Sequence, residues 1–124
     1  NLENKIVTSV TLSAENSDPN VIKKKMREYT DYRKKTQPAG IYNAGSVFKN
    51  TKDYSAGQLI ESTGLKGYAV DGVRVSNKHA NFFIASKGSK ASSLYTLVNY
   101  VKEQVQKKHG VYLEEEVLFV GDFN

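Results

Sequence analysis

The stretch KASSLYTLVNYVKEQVQKKHG, Lys90 to Gly110, sets the terms for the rest of the chain. Leu94, Leu97, Val98, Val101 and Val105 recur at three- and four-residue steps, so a helix brings all five onto one face. Lys107 and Lys108 suit the negative end of a helix, and Gly110 suits the residue that ends it. The spacing predicts a helix from about Lys90 to Lys108, with one face in a core. Two short apolar runs precede it: Tyr68 to Ser76 and Asn81 to Ser86 are expected strands, the second built on Phe82-Phe83-Ile84-Ala85. Ser55-Ala56-Gly57-Gln58 has the spacing of a capping box, and Leu59-Ile60 followed by Thr63-Gly64 describes a helix of two turns at most.

After the long helix, Val111-Tyr112-Leu113 and Val117 to Val120 flank three glutamates in an expected last strand region. Neighbours on a strand alternate faces, so Glu114 and Glu116 share one side and Glu115 takes the other. Whichever carboxylate meets the core needs a partner for its charge; the bland alternative is a solvated run. Towards the start of the chain, Asp18-Pro19 supplies a cap and a first-turn proline for a helix from about Pro19 to Lys35, with Ile22, Met26 and Tyr29 in a stripe. Lys5 to Ser13 reads as an opening strand from its β-branched density. Gln37-Pro38-Ala39-Gly40 ends the helix and opens an irregular segment that extends through Tyr54. The order β, α, loop, α, β, β, α, β interleaves irregularly. It favours a small single α+β domain, with a mixed or antiparallel sheet packed against two longer helices and one short one.

Composition narrows the function classes. With 124 residues there is room for one domain with its own core. No apolar run approaches the roughly 20 residues of a membrane-spanning helix, so no membrane partner is expected. Cysteine is absent, which removes disulfides, thiolate metal sites and cysteine nucleophiles and agrees with a cytoplasmic setting. The formal charge is +5, and Lys23, Lys24, Lys25, Arg27, Arg33, Lys34 and Lys35 against Glu28 and Asp31 account for all of it. Such a run is either a solvated helix face or a surface for an anion, whether nucleic acid or a phosphorylated small molecule.

Few chemistries remain. His79 and His109 are far apart and neither has a second ligand at metal spacing, so no metal is expected. Gly45-Ser46-Val47-Phe48 lacks the second glycine of a nucleophile elbow, and the glycines match neither a P-loop nor GxGxxG. What is left is Ser46 with Lys49 and Asn50, the cluster Lys78-His79-Asn81, and the glutamates of LEEEV. Ser46 is either a turn hydroxyl bonded to backbone or a group held for a ligand. His79 is either a satisfied structural histidine or a contact residue.

Taken in order, the segments RKKTQP, AGSVFKN, SAGQLIESTGLKG, GVRVSNKHANFFI, KKHGVYLEEEV and LFVG resemble the C-terminal substrate-binding domain of the MurB family, the UDP-N-acetylenolpyruvoylglucosamine reductases. The resemblance covers about Arg33 to Gly121. It implies an FAD-dependent, NADPH-using oxidoreductase that converts UDP-N-acetylglucosamine enolpyruvate to UDP-N-acetylmuramate in peptidoglycan synthesis. Ser46 matches the family's proton donor, and Glu116, the glutamate before the valine, matches its second catalytic residue. Asn50, Lys49 and His79 fall where the family contacts substrate, and Lys35 stands beside Thr36, where a substrate-binding lysine is expected. Thr51 replaces a usual proline, and Ala85 a usual asparagine. The helix that runs directly into QP suggests the shorter, type II variant.

The same resemblance implies that residues 1–14 are a strand or linker from an FAD-binding region and that residues 15–124 are the substrate-binding domain. No flavin-binding residues are expected in this chain, which is expected to be inactive alone. Its partners are then the sugar-nucleotide substrate and the FAD-binding domains, with no nucleic acid. The alternative is a non-catalytic basic α+β module that binds nucleic acid or a phosphorylated ligand.

Overall fold

The computed structural model describes residues 6–38 and 42–123. Lys5, where the expected opening strand begins, and Ala39-Gly40, in the expected helix stop, lie outside the described residues. Two compact units divide the chain, Asn1–Asp31 and Tyr32–Asn124.

Helix α1, Pro19–Thr36, starts as Asp18-Pro19 foretells: the Asn20 amide donates to Asp18 Oδ1 at 2.7 Å, and Pro19 occupies a position whose N–H would have no helical partner. None of its residues is buried, and Ile22, Met26 and Tyr29 form an exposed stripe. Residues 6–13 form no strand, and Ile6 and Leu12 are almost fully exposed. β-Branched density makes a segment fit for a strand, but a ladder also needs a second edge, and among the described residues this segment pairs with none.

In the second unit, helix α2 (Ala56–Ser62) precedes strands β1 (Ala69–Val70), β2 (Val73–Val75) and β3 (Phe83–Ala85), and helix α3 spans Ala91–His109. The sheet is antiparallel in the order β1-β2-β3, with Val75 opposite Phe83. The expected single strand Tyr68 to Ser76 is in fact a hairpin. Asp71 and Gly72 both take positive φ, 42° and 84°, as the two central residues of a type I′ turn must. The expected last strand region is likewise absent, and one isolated bridge between Phe48 and Glu115 stands in its place.

Helix α3 packs on β1 and β2, and α2 packs on α3. Leu97, Val98, Val101 and Val105 are fully buried, Leu94 is partly so, and Gly110 closes the helix at φ 69° with its N–H on the Gln106 carbonyl. Phe48 lies at the centre of this core, its ring edge-on to Phe83 at 6.0 Å. The segment carrying Ser46 is thus anchored through its own Phe48 in the hydrophobic core.

Candidate functional site

Gly45 turns the chain at φ 81° while its N–H donates to Asn43 Oδ1 at 3.0 Å. A side chain at that φ would be strained, so glycine is what lets Ser46 follow directly. From Ser46 the chain runs extended between two other segments. On one flank Ser46 bridges Phe82, the Val47 amide donates to the Asn81 carbonyl at 2.9 Å, and the Asn81 side chain closes on Phe48. On the other flank the Glu116 amide donates to the Val47 carbonyl at 2.8 Å, and the Lys49 amide donates to the Glu114 carbonyl at 2.8 Å. Ser46 and Glu116, distant in sequence, are therefore joined across a single residue.

The Ser46 hydroxyl is half-buried and makes no hydrogen bond among the described residues, so it is not the backbone-bonded turn hydroxyl that was one of its two readings. Lys49 forms an ion pair with Glu114. Its ammonium is held above the usual lysine value by that hydrogen bond first and by the Glu114 charge second, with Glu116 adding to the same field. Lys49, Glu114 and Glu116 thus form one charged cluster, and Ser46 precedes in sequence the Val47 carbonyl that binds the Glu116 amide. The expected alternation of the glutamates holds as well: Glu115 turns away and pairs with Lys102 at 2.6 Å. Burial pushes its carboxyl up, yet the hydrogen bond and charge of Lys102, with a bond from its own backbone, leave it below the ordinary value.

Asn50 has a structural engagement that its sequence position does not announce. Its Oδ1 accepts the Ala56 amide at 3.0 Å, capping α2, while Ser55 makes no side-chain cap. The capping box read at Ser55 therefore locates the helix and misassigns the cap. Thr51 closes the adjoining turn, its hydroxyl accepting the Tyr54 amide at 3.1 Å.

His79 accepts the Asn81 amide on Nδ1 at 3.2 Å and stacks edge-on with Phe82 at 4.8 Å. Burial is the first cause that lowers its pKa, and the Lys66 charge acts in the same direction. With Nδ1 an acceptor, the ring proton sits on Nε2. His79 lines a small polar cavity of about 130 Å³ with Ser55, Gly57, Gln58, Glu61 and Lys78, apart from the Ser46 segment but linked to it through Asn81. Lys35 is exposed on the last turn of α1, and its side chain makes no hydrogen bond or ion pair among the described residues, so it is not brought to the cluster. An apolar cavity of about 290 Å³ lies behind Val47 and Val117, the sequence neighbours of Ser46 and Glu116, and none of the expected site residues lines it.

The residue that the reading of the sequence undervalued is Asn81. It appears there only as a member of the Lys78-His79-Asn81 cluster, although an amide inside the apolar run ANFFIA is itself a sign of a buried polar task.

Residues 37–120 match the family model described as UDP-N-acetylenolpyruvoylglucosamine reductase, C-terminal domain. The reductase of that name from Nostoc punctiforme is 43% identical over 120 residues, which is 96% of this chain and 36% of the relative. That of Halalkalibacterium halodurans is 39% identical over 117 residues, 94% of this chain and 39% of the relative. Among solved structures, the UDP-N-acetylenolpyruvylglucosamine reductase (MurB) of Thermus caldophilus matches with a TM-score of 0.68 at 33% identity, over 82% of this chain and 36% of that one. The chain thus spans little more than a third of the length of each of these relatives.

Proposed function

The chain belongs to the family of UDP-N-acetylenolpyruvoylglucosamine reductase C-terminal domains, and on that premise we propose that it supplies substrate binding and proton donation. The whole enzyme is then an oxidoreductase that reduces UDP-N-acetylglucosamine enolpyruvate to UDP-N-acetylmuramate in peptidoglycan synthesis. The observation that carries the proposal is the hydrogen bond from the Glu116 amide to the Val47 carbonyl, which sets the second candidate catalytic residue beside the first. A cytoplasmic location goes with the proposal, because its substrate and NADPH are soluble phosphorylated metabolites.

In this proposal FAD, reduced by NADPH, is held by other parts of the enzyme, and no step here is routed through it. This chain's task is the proton that the reduced double bond must gain. A serine hydroxyl is a weak acid, and it serves only a strongly basic carbon held within about 3 Å. Ser46 meets the requirement on its own side, since its hydroxyl makes no hydrogen bond among the described residues and the segment it begins is held on both flanks. Glu116 assists the protonation and stabilises the enolic intermediate.

The substrate's carboxylate and diphosphate need donors and positive charge. Lys49 offers a cation paired with Glu114, Asn50 has its amide NH2 to offer while Oδ1 caps α2, and His79 offers Nε2–H. Lys35 enters the proposed set from the family pattern alone, since it stands apart from the charged cluster on the last turn of α1. In a flavin-loaded reductase carrying this chain, Ser46→Ala is expected to leave flavin reduction by NADPH intact and to slow product formation by about 10²-fold or more. Product formation at the unaltered rate would remove Ser46 as the proton donor.

A further inference from the structure

Asn81 is 2% exposed and makes two side-chain hydrogen bonds, both to one residue: Oδ1 accepts the Phe48 amide at 2.9 Å, and Nδ2 donates to the Phe48 carbonyl at 2.8 Å. A carboxamide that takes both the N–H and the C=O of one residue imitates a strand partner. It supplies a rung of ladder where no backbone does so, because residues 77–80 turn away from the extended segment. The Asn81 carbonyl adds the Val47 amide, and Phe82 bridges Ser46. One flank of 46–48 is therefore held by two consecutive residues, and Asn81 makes three of the hydrogen bonds.

This bears on Ser46 because its hydroxyl has no hydrogen bond among the described residues, so no side-chain bond anchors its oxygen and the backbone sets the arc on which it lies. Phe48 is fully buried, and without the carboxamide its N–H and C=O would both be orphaned where water does not reach. The segment would relieve that by moving. Proton transfer tolerates little movement, since a misplacement of about 1 Å can cost about 10²-fold in rate.

We infer that Asn81 is a positioning residue that fixes Ser46 for proton donation by clamping the Phe48 backbone; the inference rests on the proton-donor role proposed above. Asn81 touches neither Ser46 nor substrate in this scheme. Its effect passes through the peptide chain alone.

The test is a double-mutant cycle in a flavin-loaded reductase carrying this chain. The flavin is first reduced by one equivalent of NADPH, and product formation is followed after mixing with the enolpyruvyl sugar nucleotide. Asn81→Asp removes the Nδ2 donor, and Asn81→Ser, smaller and neutral, removes the clamp without adding charge. Either is expected to slow product formation about 10- to 100-fold with Ser46 present and less than about 2-fold in the Ser46→Ala background. Val105→Ala, a core truncation remote from the clamp, provides the control for stability loss and is expected to leave the rate within about 2-fold.

A merely structural role would give the same factor in both backgrounds, and that result overturns the inference while leaving Ser46 as donor. If Ser46→Ala alone fails to slow the reaction, the donor role falls and this inference falls with it. Faster hydrogen exchange at the Phe48 amide in the Asn81 variants is the expected structural signature, and unchanged protection there would overturn the clamp itself.

Discussion

His79 shows how one side chain takes on two duties. Its Nδ1 accepts the Asn81 amide, so protonation there would turn an acceptor into a donor facing another donor. Burial, and then the Lys66 charge, lower its pKa, against the opposing pull of its own backbone and Glu61. A base whose pKa is lowered on folding binds fewer protons folded than unfolded, so stability rises with pH through the interval from the folded value up to the unfolded one near 6.5. The melting temperature is therefore expected to fall as pH drops from 7.5 towards 5.5, with a flatter dependence in His79→Gln. An equal slope in the two proteins would show that His79 does not govern the transition. At this same scale the candidate site was legible only in part. Ser46 and Glu116 are marked by the residues around them, but nothing local in FKN says that the Asn50 oxygen caps a helix six residues on, or that Asn81 reaches back to Phe48. Those pairings depend on tertiary proximity.

Helices and strands differed in how plainly they could be read. α3 declares itself over five apolar positions of one face and a terminal glycine, and its observed limits, Ala91–His109, lie within a residue of the expected ones. The strands are two or three residues long, too short for alternation to register, so Tyr68 to Ser76 reads as continuous and the Asp71-Gly72 turn is passed over. Val117 to Val120 has the composition of a strand but no ladder beyond the Phe48–Glu115 bridge. The hairpin turn is a local device with a measurable cost. A Cβ on Gly72 would stand 2.8 Å from Ser89 Oγ, at φ 84°. Gly72→Ala is expected to destabilise the fold by about 1–3 kcal/mol in urea titration. Because the close atom is the serine oxygen, adding Ser89→Ala should recover part of that loss although it also removes a 3.1 Å bond to the Gly72 carbonyl. Strict additivity of the two substitutions would show that the contact is not the source of strain.

On the scale of the whole molecule, every buried residue lies in the second unit, and the described part of Asn1–Asp31 contributes none. The basic excess does not follow that division, because it is carried by α1, a helix with no buried residue whose sequence extends from the first unit into the second; the second unit holds Phe48, Ile60, Leu97 and the valines of α3 in one cluster. Stability should therefore respond to where a methyl group is removed rather than to how apolar its residue is. Leu97→Ala empties a fully buried position and is expected to cost about 2–5 kcal/mol. Leu12→Ala makes the same chemical change at a side chain 84% exposed and is expected to lie within about 0.5 kcal/mol of the parent. Chemical denaturation of the chain measures both on one scale. Equal losses would mean that Leu12 is covered in solution and that the first unit has a packing partner. A large gap would place the whole folding free energy in the unit that carries Ser46, Asn81 and Glu116, so that the segment holding the proton donor and the core that stabilises the fold would melt together.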